Sequence, residues 1–219
     1  CGECGGDGID EGACDCDGNV EDECSVCGGN GPAEGYDCDG TPLLFTYNAS
    51  TLQSFYFFSA VMIDGVNVDS TDWVGAFNGD ICVGSRLWGL CGGNACDVPV
   101  MGFSDISPEL TEGYMQQGEI PTFQIFDASE SEYLDAVASE DIPWVTNGFN
   151  MIDNLQNAVP GCTDNSACNY NLDANVDDGS CLENDCAGEC GGSAVVDDCG
   201  ICEGGNASMD ECGVCDGDN

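Results

Sequence analysis

Apolar and aromatic residues crowd into one stretch of this chain. Residues 41–160 hold 16 of the 18 aromatic side chains, in short runs bounded by turn residues. The runs 43–47 and 54–63 are rich in aromatic and β-branched residues, and the second ends on the turn pair Asp64-Gly65. Trp73-Val-Gly-Ala-Phe77, then Asn78-Gly79, then Asp80-Ile-Cys-Val-Gly84 is a two-residue hairpin signal. Further strands are predicted at 98–103, 121–127 and 144–152, and helix only as a short turn near 131–138. Pro99, Pro108, Pro121 and Pro143 suit edge strands or turns. Several short strands with frequent turns predict an all-β fold, a two-sheet β-sandwich rather than a barrel.

The flanks read differently. Residues 1–40 carry 7 Cys and 12 acids, and residues 161–219 carry 9 Cys and 14 acids, against 3 Cys in between. They have too little apolar mass for a core, which predicts covalent or metal staples. They also repeat. Cys24-Ser-Val-Cys27, Cys199-Gly-Ile-Cys202 and Cys212-Gly-Val-Cys215 each follow an acidic pair, and Gly pairs follow Cys4, Cys27 and Cys190. Three parts are therefore expected: an N-terminal Cys/Asp-rich repeat arm at 1–40, a β-sandwich domain at 41–160 and a C-terminal Cys/Asp-rich repeat arm at 161–219. A period this short, with no apolar face, predicts a string of small, irregular, stapled loops.

Charge narrows the function. The chain has 42 Asp and Glu, one Lys or Arg (Arg86) and no His, for a net charge of −41. Nucleic acid is excluded as a partner because it needs basic residues, and so is an anionic membrane surface unless divalent cations bridge the two. Histidine bases, Schiff bases and His-ligated metals fall away as well, so the expectation is a protein that is not an enzyme. No apolar run of 18 residues occurs, so no membrane insertion is expected. The 19 Cys point to an oxidising compartment, hence to a secreted or cell-surface, extracellular protein. With no signal peptide visible and a half-repeat near its end, the sequence reads as a processed product or a segment of a longer precursor.

Two kinds of staple are available. Oxygen-bearing side chains alternate in Asp15-Cys-Asp17-Gly-Asn19-Val-Glu21-Asp22 and in Asn169-Tyr-Asn171-Leu-Asp173-Ala-Asn175-Val-Asp177-Asp178, with shorter versions at Asp7/Asp10 and Asp37/Asp39. Calcium takes six to eight oxygens, and such runs deliver several to one centre, so these residues are the candidate calcium ligands. Disulfides are expected among Cys1, Cys4, Cys14, Cys16, Cys24, Cys27, Cys38, Cys162, Cys168, Cys181, Cys186, Cys190, Cys199, Cys202, Cys212 and Cys215, with a local bridge from Cys91 to Cys96. A tetrathiolate zinc site at Cys199, Cys202, Cys212 and Cys215 is the weaker alternative, because no His accompanies it and the cysteines recur beyond sets of four. Nineteen is odd, so at least one thiol is free or bonded to another chain. Cys82, on a predicted strand, is the candidate buried free thiol.

The flanks resemble the thrombospondin type 3-like Cys/Asp-rich repeats of very large secreted and surface proteins of aquatic bacteria. Gly161-Cys-Thr-Asp-Asn-Ser-Ala-Cys-Asn-Tyr-Asn-Leu-Asp-Ala-Asn-Val-Asp-Asp-Gly-Ser-Cys181 and Asp-Glu-Cys-Gly-Val-Cys at 210–215 carry the resemblance. It implies calcium held by Asp and Asn and disulfides between neighbouring turns. Trp73-Val-Gly-Ala-Phe-Asn-Gly-Asp-Ile-Cys-Val-Gly84 and Ile120-Pro-Thr-Phe-Gln-Ile-Phe-Asp127 are similar to a sandwich module that accompanies those repeats.

Function is weighed between three classes. The leading expectation is a structural protein, a calcium-stabilised and disulfide-stapled subunit of an extracellular filament, matrix or surface stalk that self-assembles with copies of itself. The alternative is an adhesin or carbohydrate-binding module, with glycans as partners and Trp73, Trp88 and Trp144 either as a sugar platform or as core. A glycosidase would need a carboxylate pair from Asp127, Glu130, Glu132 and Asp135 and ranks last. Asn48-Ala-Ser50 and Asn206-Ala-Ser208 are candidate glycosylation sites.

Overall fold

The computed structural model describes residues 8–91 and 96–217. Asp7, Cys1 and Cys4 of the expected site residues lie outside the described residues. The chain forms two compact units, Cys1–Asn157 and Ala158–Asn219.

The first unit is all-β. Its strands are β1 (Gln53–Ile63), β2 (Val66–Asn67), β3 (Trp73–Asn78), β4 (Ile81–Leu87), β5 (Cys96–Met101), β6 (Thr122–Asp127), β7 (Glu132–Ala138) and β8 (Phe149–Asn157). They do not divide into two separately bonded sheets. One hydrogen-bonded path runs β2-β1-β8-β7-β6-β3-β4, with β5 also paired to β1. All pairings are antiparallel except β1 with β8. The sheet curls until β4, at one end of the path, meets β5 near the other. A Cβ at Gly84 would overlap the Pro99 carbonyl oxygen, so only glycine permits this approach. Arg86, the sole basic residue, spans the same seam: its Nε donates to the Asp97 carbonyl at 2.8 Å and its guanidinium pairs with the Asp97 carboxylate.

The concave face holds the core. Tyr56, Phe58, Val74, Val83, Val98, Val100, Ile125, Ile152 and Leu155 are buried there with Trp144 and Met115. Polar groups in this core are paired, as their burial requires. The Trp144 indole donates to the Val100 carbonyl at 2.9 Å, Tyr56 Oη donates to the Ile142 carbonyl at 3.0 Å, and Asn150 donates to Ser54 Oγ at 3.0 Å. A second cluster of Phe45, Phe77, Phe126 and Cys82 lies beside it. Tyr36 meets the edge of Phe126 there, with ring centroids 5.9 Å apart, so part of segment 8–40 docks on the sheet.

Four local expectations change. Residues 43–47 are not a strand: Pro42 leads into a 3-10 turn at Leu43–Phe45 that buries Phe45 and leaves Leu43 and Leu44 exposed. Residues 131–138 contain no helical turn; Glu132–Ala138 is a strand, because its alternating positions fill the gap between β6 and β8. The β8 strand begins at Phe149 rather than 144, which leaves Trp144 in a loop with its side chain in the core. In the β3–β4 hairpin the turn residues are Gly79-Asp80, and a bulge opposite Ala76/Phe77 shifts the register.

The second unit has almost no core. Of its described residues only Gly161 and Cys162 are buried. Its regular structure is the two-residue pair β9 (Pro160–Gly161) and β10 (Val176–Asp177). Leu172 and Val195 stand 81% and 73% exposed, which confirms that apolar burial does not order this segment.

Candidate functional site

The flanks are built on one side chain. Asp22, Asp185, Asp197 and Asp210 each head a small turn whose backbone amides point back at the carboxylate. Oδ1 of Asp22 accepts from the amides of Cys24 and Val26, each at 2.9 Å, and Oδ2 accepts from Gly31 at 2.7 Å. The pattern recurs two, four and nine residues on from Asp185 at Ala187, Glu189 and Ala194, at 2.9, 2.9 and 3.0 Å. Asp197 holds Cys199, Ile201 and Asn206 at 2.9, 2.8 and 2.9 Å. Asp210 holds Cys212 and Val214 at 2.9 and 2.8 Å. An Asp that bonds its own backbone two residues on is a turn former, and here the ring of amides extends further into an anion-binding nest.

Backbone bonds close each repeat. The amide of the heading Asp donates to the carbonyl four residues on (Val26, Glu189, Ile201, Val214), and a single bridge crosses at Glu21/Cys27, Asn184/Cys190, Val196/Cys202 and Met209/Cys215. The chain must then pass against the carboxylate. A Cβ at Gly29, Gly192, Gly204 or Gly217 would overlap Oδ2 of Asp22, Asp185, Asp197 or Asp210 respectively. The glycine seven residues after each heading Asp is therefore set by close approach, a different reason from the positive φ of the residue before it, which is Gly28, Gly191, Glu203 or Asp216.

This setting acidifies the carboxyls. Donation from Val26 first, and from Gly31 and Cys24, holds Asp22 below its usual range. Asp185 is lowered by the amides of Glu189 and Ala194, and Asp197 by Ile201 and Asn206. Hydrogen bonds to the ionised form favour it.

The expected calcium residues do not gather into cages. Asp15 is turned on Asp17 N and Asn19 N, both at 3.0 Å, and on the Asn19 side chain at 2.6 Å; Asp37 is turned on Asp39 N and Thr41 N at 3.0 and 2.7 Å. Asn169 bridges the Ser180 carbonyl and the Leu182 amide, Asn171 accepts from Asp173 N, and Asn175 from Val159 N. Asp177 and Asp178 accept from Gly179 N and Ser180 N. Asp10, Asp17, Asp39 and Asp173 stand exposed. Among the described residues no three Cys, Asp or Glu side chains are grouped to hold a metal ion. The donor set of each turn is one carboxylate facing amides, which does not fit a preassembled site of six to eight oxygens.

Among the described residues seven disulfides join the turns and loops: Cys14–Cys27, Cys24–Cys38, Cys91–Cys96, Cys162–Cys181, Cys168–Cys190, Cys186–Cys202 and Cys199–Cys215. Cys16 is also disulfide-bonded. Cys199, Cys202 and Cys215 are thus consumed in bridges, which removes the tetrathiolate zinc alternative. Cys212, expected in a disulfide, is free and exposed. Cys82 is free and buried, and burial pushes its thiol up to about 11. This many disulfides place the folded chain in an oxidising compartment. No helix among the described residues is long and apolar enough to cross a membrane.

The remaining candidates are scattered. Trp144 is 2% exposed and belongs to the core, so the three tryptophans form no common platform. Asp127 turns onto the hydroxyl and amide of Ser129 and the amide of Glu130, while Asp135 accepts from Gln124. Asn48 Nδ2 donates to the Leu110 carbonyl, and Asn206 Nδ2 to Asp198. The sequence shows the acidic pairs and Gly pairs of the repeats, but sequence reasoning gave no role to Asp185, Asp197, Asp210 or the glycines seven residues after them. The recurring signal was an Asp with a Gly seven residues later. Comparison with protein-family models, with curated proteins and with solved structures yields no match.

Proposed function

We propose that this chain is a secreted structural protein, a disulfide-stapled subunit of an extracellular filament, matrix or surface stalk. One observation carries the reading: the repeats order themselves without a core, each closed by its own Asp and bonded covalently to a neighbour. Such a device extends repeat by repeat and resists unfolding outside the cell, where disulfides persist. A catalytic site would need the opposite, a concave pocket with convergent reactive groups.

Calcium enters this proposal as counter-charge. At −41, copies of the chain repel one another until cations sit among their carboxylates. The amide-bound Asp22, Asp185, Asp197 and Asp210 are occupied; the exposed Asp17, Asp39 and Asp173 are the groups left to bind it. Electron microscopy at low salt tests the reading. Fibres many subunits long in calcium, which disperse in chelator, are the expected result. Single particles at every calcium concentration refute self-assembly, and fibres indifferent to chelator refute the role of calcium.

An adhesin reading has one observation in its favour. Phe149, 72% exposed, stacks on Phe55 and Phe57 on the outer face of β1 and β8, with exposed Met151 beside it. Specific glycan binding lost in Phe149→Ala would favour that reading over the structural one.

A further inference from the structure

The bridges between repeats keep a fixed direction. In each repeat the earlier cysteine pairs forward along the chain: Cys24 with Cys38, Cys186 with Cys202, Cys199 with Cys215. The later cysteine, five residues after the heading Asp, pairs backward: Cys27 with Cys14, Cys190 with Cys168, Cys202 with Cys186, Cys215 with Cys199. The last two repeats use the same step, a separation of 16 residues with Cα atoms 5.5 Å apart. Cys212 occupies the forward-pairing position of the Asp210 repeat. Its amide is held by Asp210 as the Cys199 amide is held by Asp197, and its repeat is closed by the same backbone bonds. Every other forward-pairing cysteine is bonded, whereas Cys212 is free and exposed.

We infer that Cys212 is the open position of this ladder and takes as its partner the backward-pairing cysteine of another Asp-centred repeat, one outside residues 1–219. The directional bridges carry this inference, and it stands whether or not the chain forms filaments or binds calcium. The bond forms by thiol–disulfide exchange. The Cys212 thiolate attacks a small disulfide such as glutathione disulfide, an S–S bond forms and one glutathione thiolate leaves. The incoming cysteine thiolate then displaces the second glutathione, so two thiols are oxidised and one disulfide is reduced to two thiols. The partner repeat belongs either to polypeptide continuing beyond residue 219 or to a second chain, and the chemistry is the same in both.

The experiment compares the 219-residue chain with one extended by a copy of residues 207–217 placed after Asn219. That copy sets a new Asp at the Asp197-to-Asp210 spacing and a new cysteine 16 residues beyond Cys212, the separation seen in the two preceding bridges. Both proteins are refolded in a glutathione buffer, then alkylated with a maleimide and mapped without reduction. In the original chain Cys212 is expected to be labelled, as free thiol or after release of glutathione. In the extended chain that labelling is lost, and Cys212 is found joined to the added cysteine. Disulfide dimers of the original chain that vanish in Cys212→Ser assign the natural partner to a second chain; their absence, with the added repeat bonded, assigns it to a continuation of the polypeptide. Cys212 still labelled in the extended protein, or bonded to Cys1 or Cys4 of its own molecule in the original, overturns the inference. Cys212→Ser should leave the mapped bridges and melting of the original chain unchanged, so loss of the junction is separable from misfolding.

Discussion

Removing one rung of the ladder tests what orders the repeats. The double variant Cys199→Ser/Cys215→Ser deletes a bridge that spans 16 residues and removes both of its cysteines, so that neither is left to mispair with the free Cys212. A loop of that length stabilises the native state by about 3 kcal/mol through the unfolded chain. In the sheet unit such a loss would be absorbed by the core around Tyr56, Phe58, Val98 and Ile125. The Asp210 repeat has no comparable reserve, since none of its described residues is buried. Its order is then local, and about 3 kcal/mol corresponds to roughly 150-fold in its opening equilibrium. Amide hydrogen exchange reads this directly. The amides of Asp210, Gly213 and Asp216, which donate to the carbonyls of Val214, Asp210 and Ser208, should lose protection by about two orders of magnitude. The amides of β3 and β6 should not change. Protection of Asp210 and Asp216 within about threefold of the parent would refute the reasoning, because the turns would then hold without the bridge.

Other outcomes follow from the same geometry. The carboxyls of Asp22, Asp185 and Asp197 sit below their usual value of 3.8 when folded, so the stability they contribute is complete above that pH and is lost as pH falls through the folded values. Proteolysis by pepsin should therefore cut the flanks increasingly as the pH drops below about 4, and flanks equally resistant at pH 2 and pH 5 would contradict this. Gly204→Ala should expel the Asp197 carboxylate from its amides and free the Asn206 amide to exchange, whereas Gly200→Asn, at a φ of 77° that Asn tolerates, should not. Cys82, with its thiol pushed up to about 11, should resist iodoacetamide at pH 8 until the sheet unfolds. Trp144→Phe should delete the indole's bond to the Val100 carbonyl, which still faces Ser54 in the strand ladder, and cost about 1 kcal/mol of sheet stability by thermal denaturation.

Alternation was legible wherever one face of a strand meets the core. The run from Ser54 buries Ser54, Tyr56 and Phe58 in turn, and Asp64-Gly65, both at positive φ, closes the hairpin onto Val66. Legibility failed where tertiary partners decide. Leu43, Leu44 and Phe45 look like a strand, yet only Phe45 finds a pocket, and a 3-10 turn is the way to deliver it alone. Glu132–Ala138 mixes good helix formers with an alternating pattern, and the open edges of β6 and β8 select the strand. Continuity of the sheet was hidden as well. Nothing local to Gly84 or Pro99 announces that their strands come together from opposite ends of one path.

The alternating oxygens of the flanks admit two uses. Oxygen side chains spaced by two residues satisfy a calcium loop, but the same spacing lets an Asp reach the amides two and four residues ahead of it. Spacing alone does not separate the two uses; the crowding next to the carboxylate does. Where a Gly stands seven residues on, as at Asp22/Gly29 and Asp197/Gly204, the chain folds back over the carboxylate and leaves room for no side chain there. The acids of the flanks then form two populations. The heading aspartates behave as internal anions that organise the turn, and their charge is answered by backbone dipoles. The other acids, such as Asp17, Asp39 and Asp173, face water and add to the net charge of −41. Replacing the second group by Asn should abolish any requirement for divalent cation while every turn stays folded; replacing the first should unfold turns in calcium and chelator alike. The two populations are separable by mutation because one holds the fold and the other sets the charge.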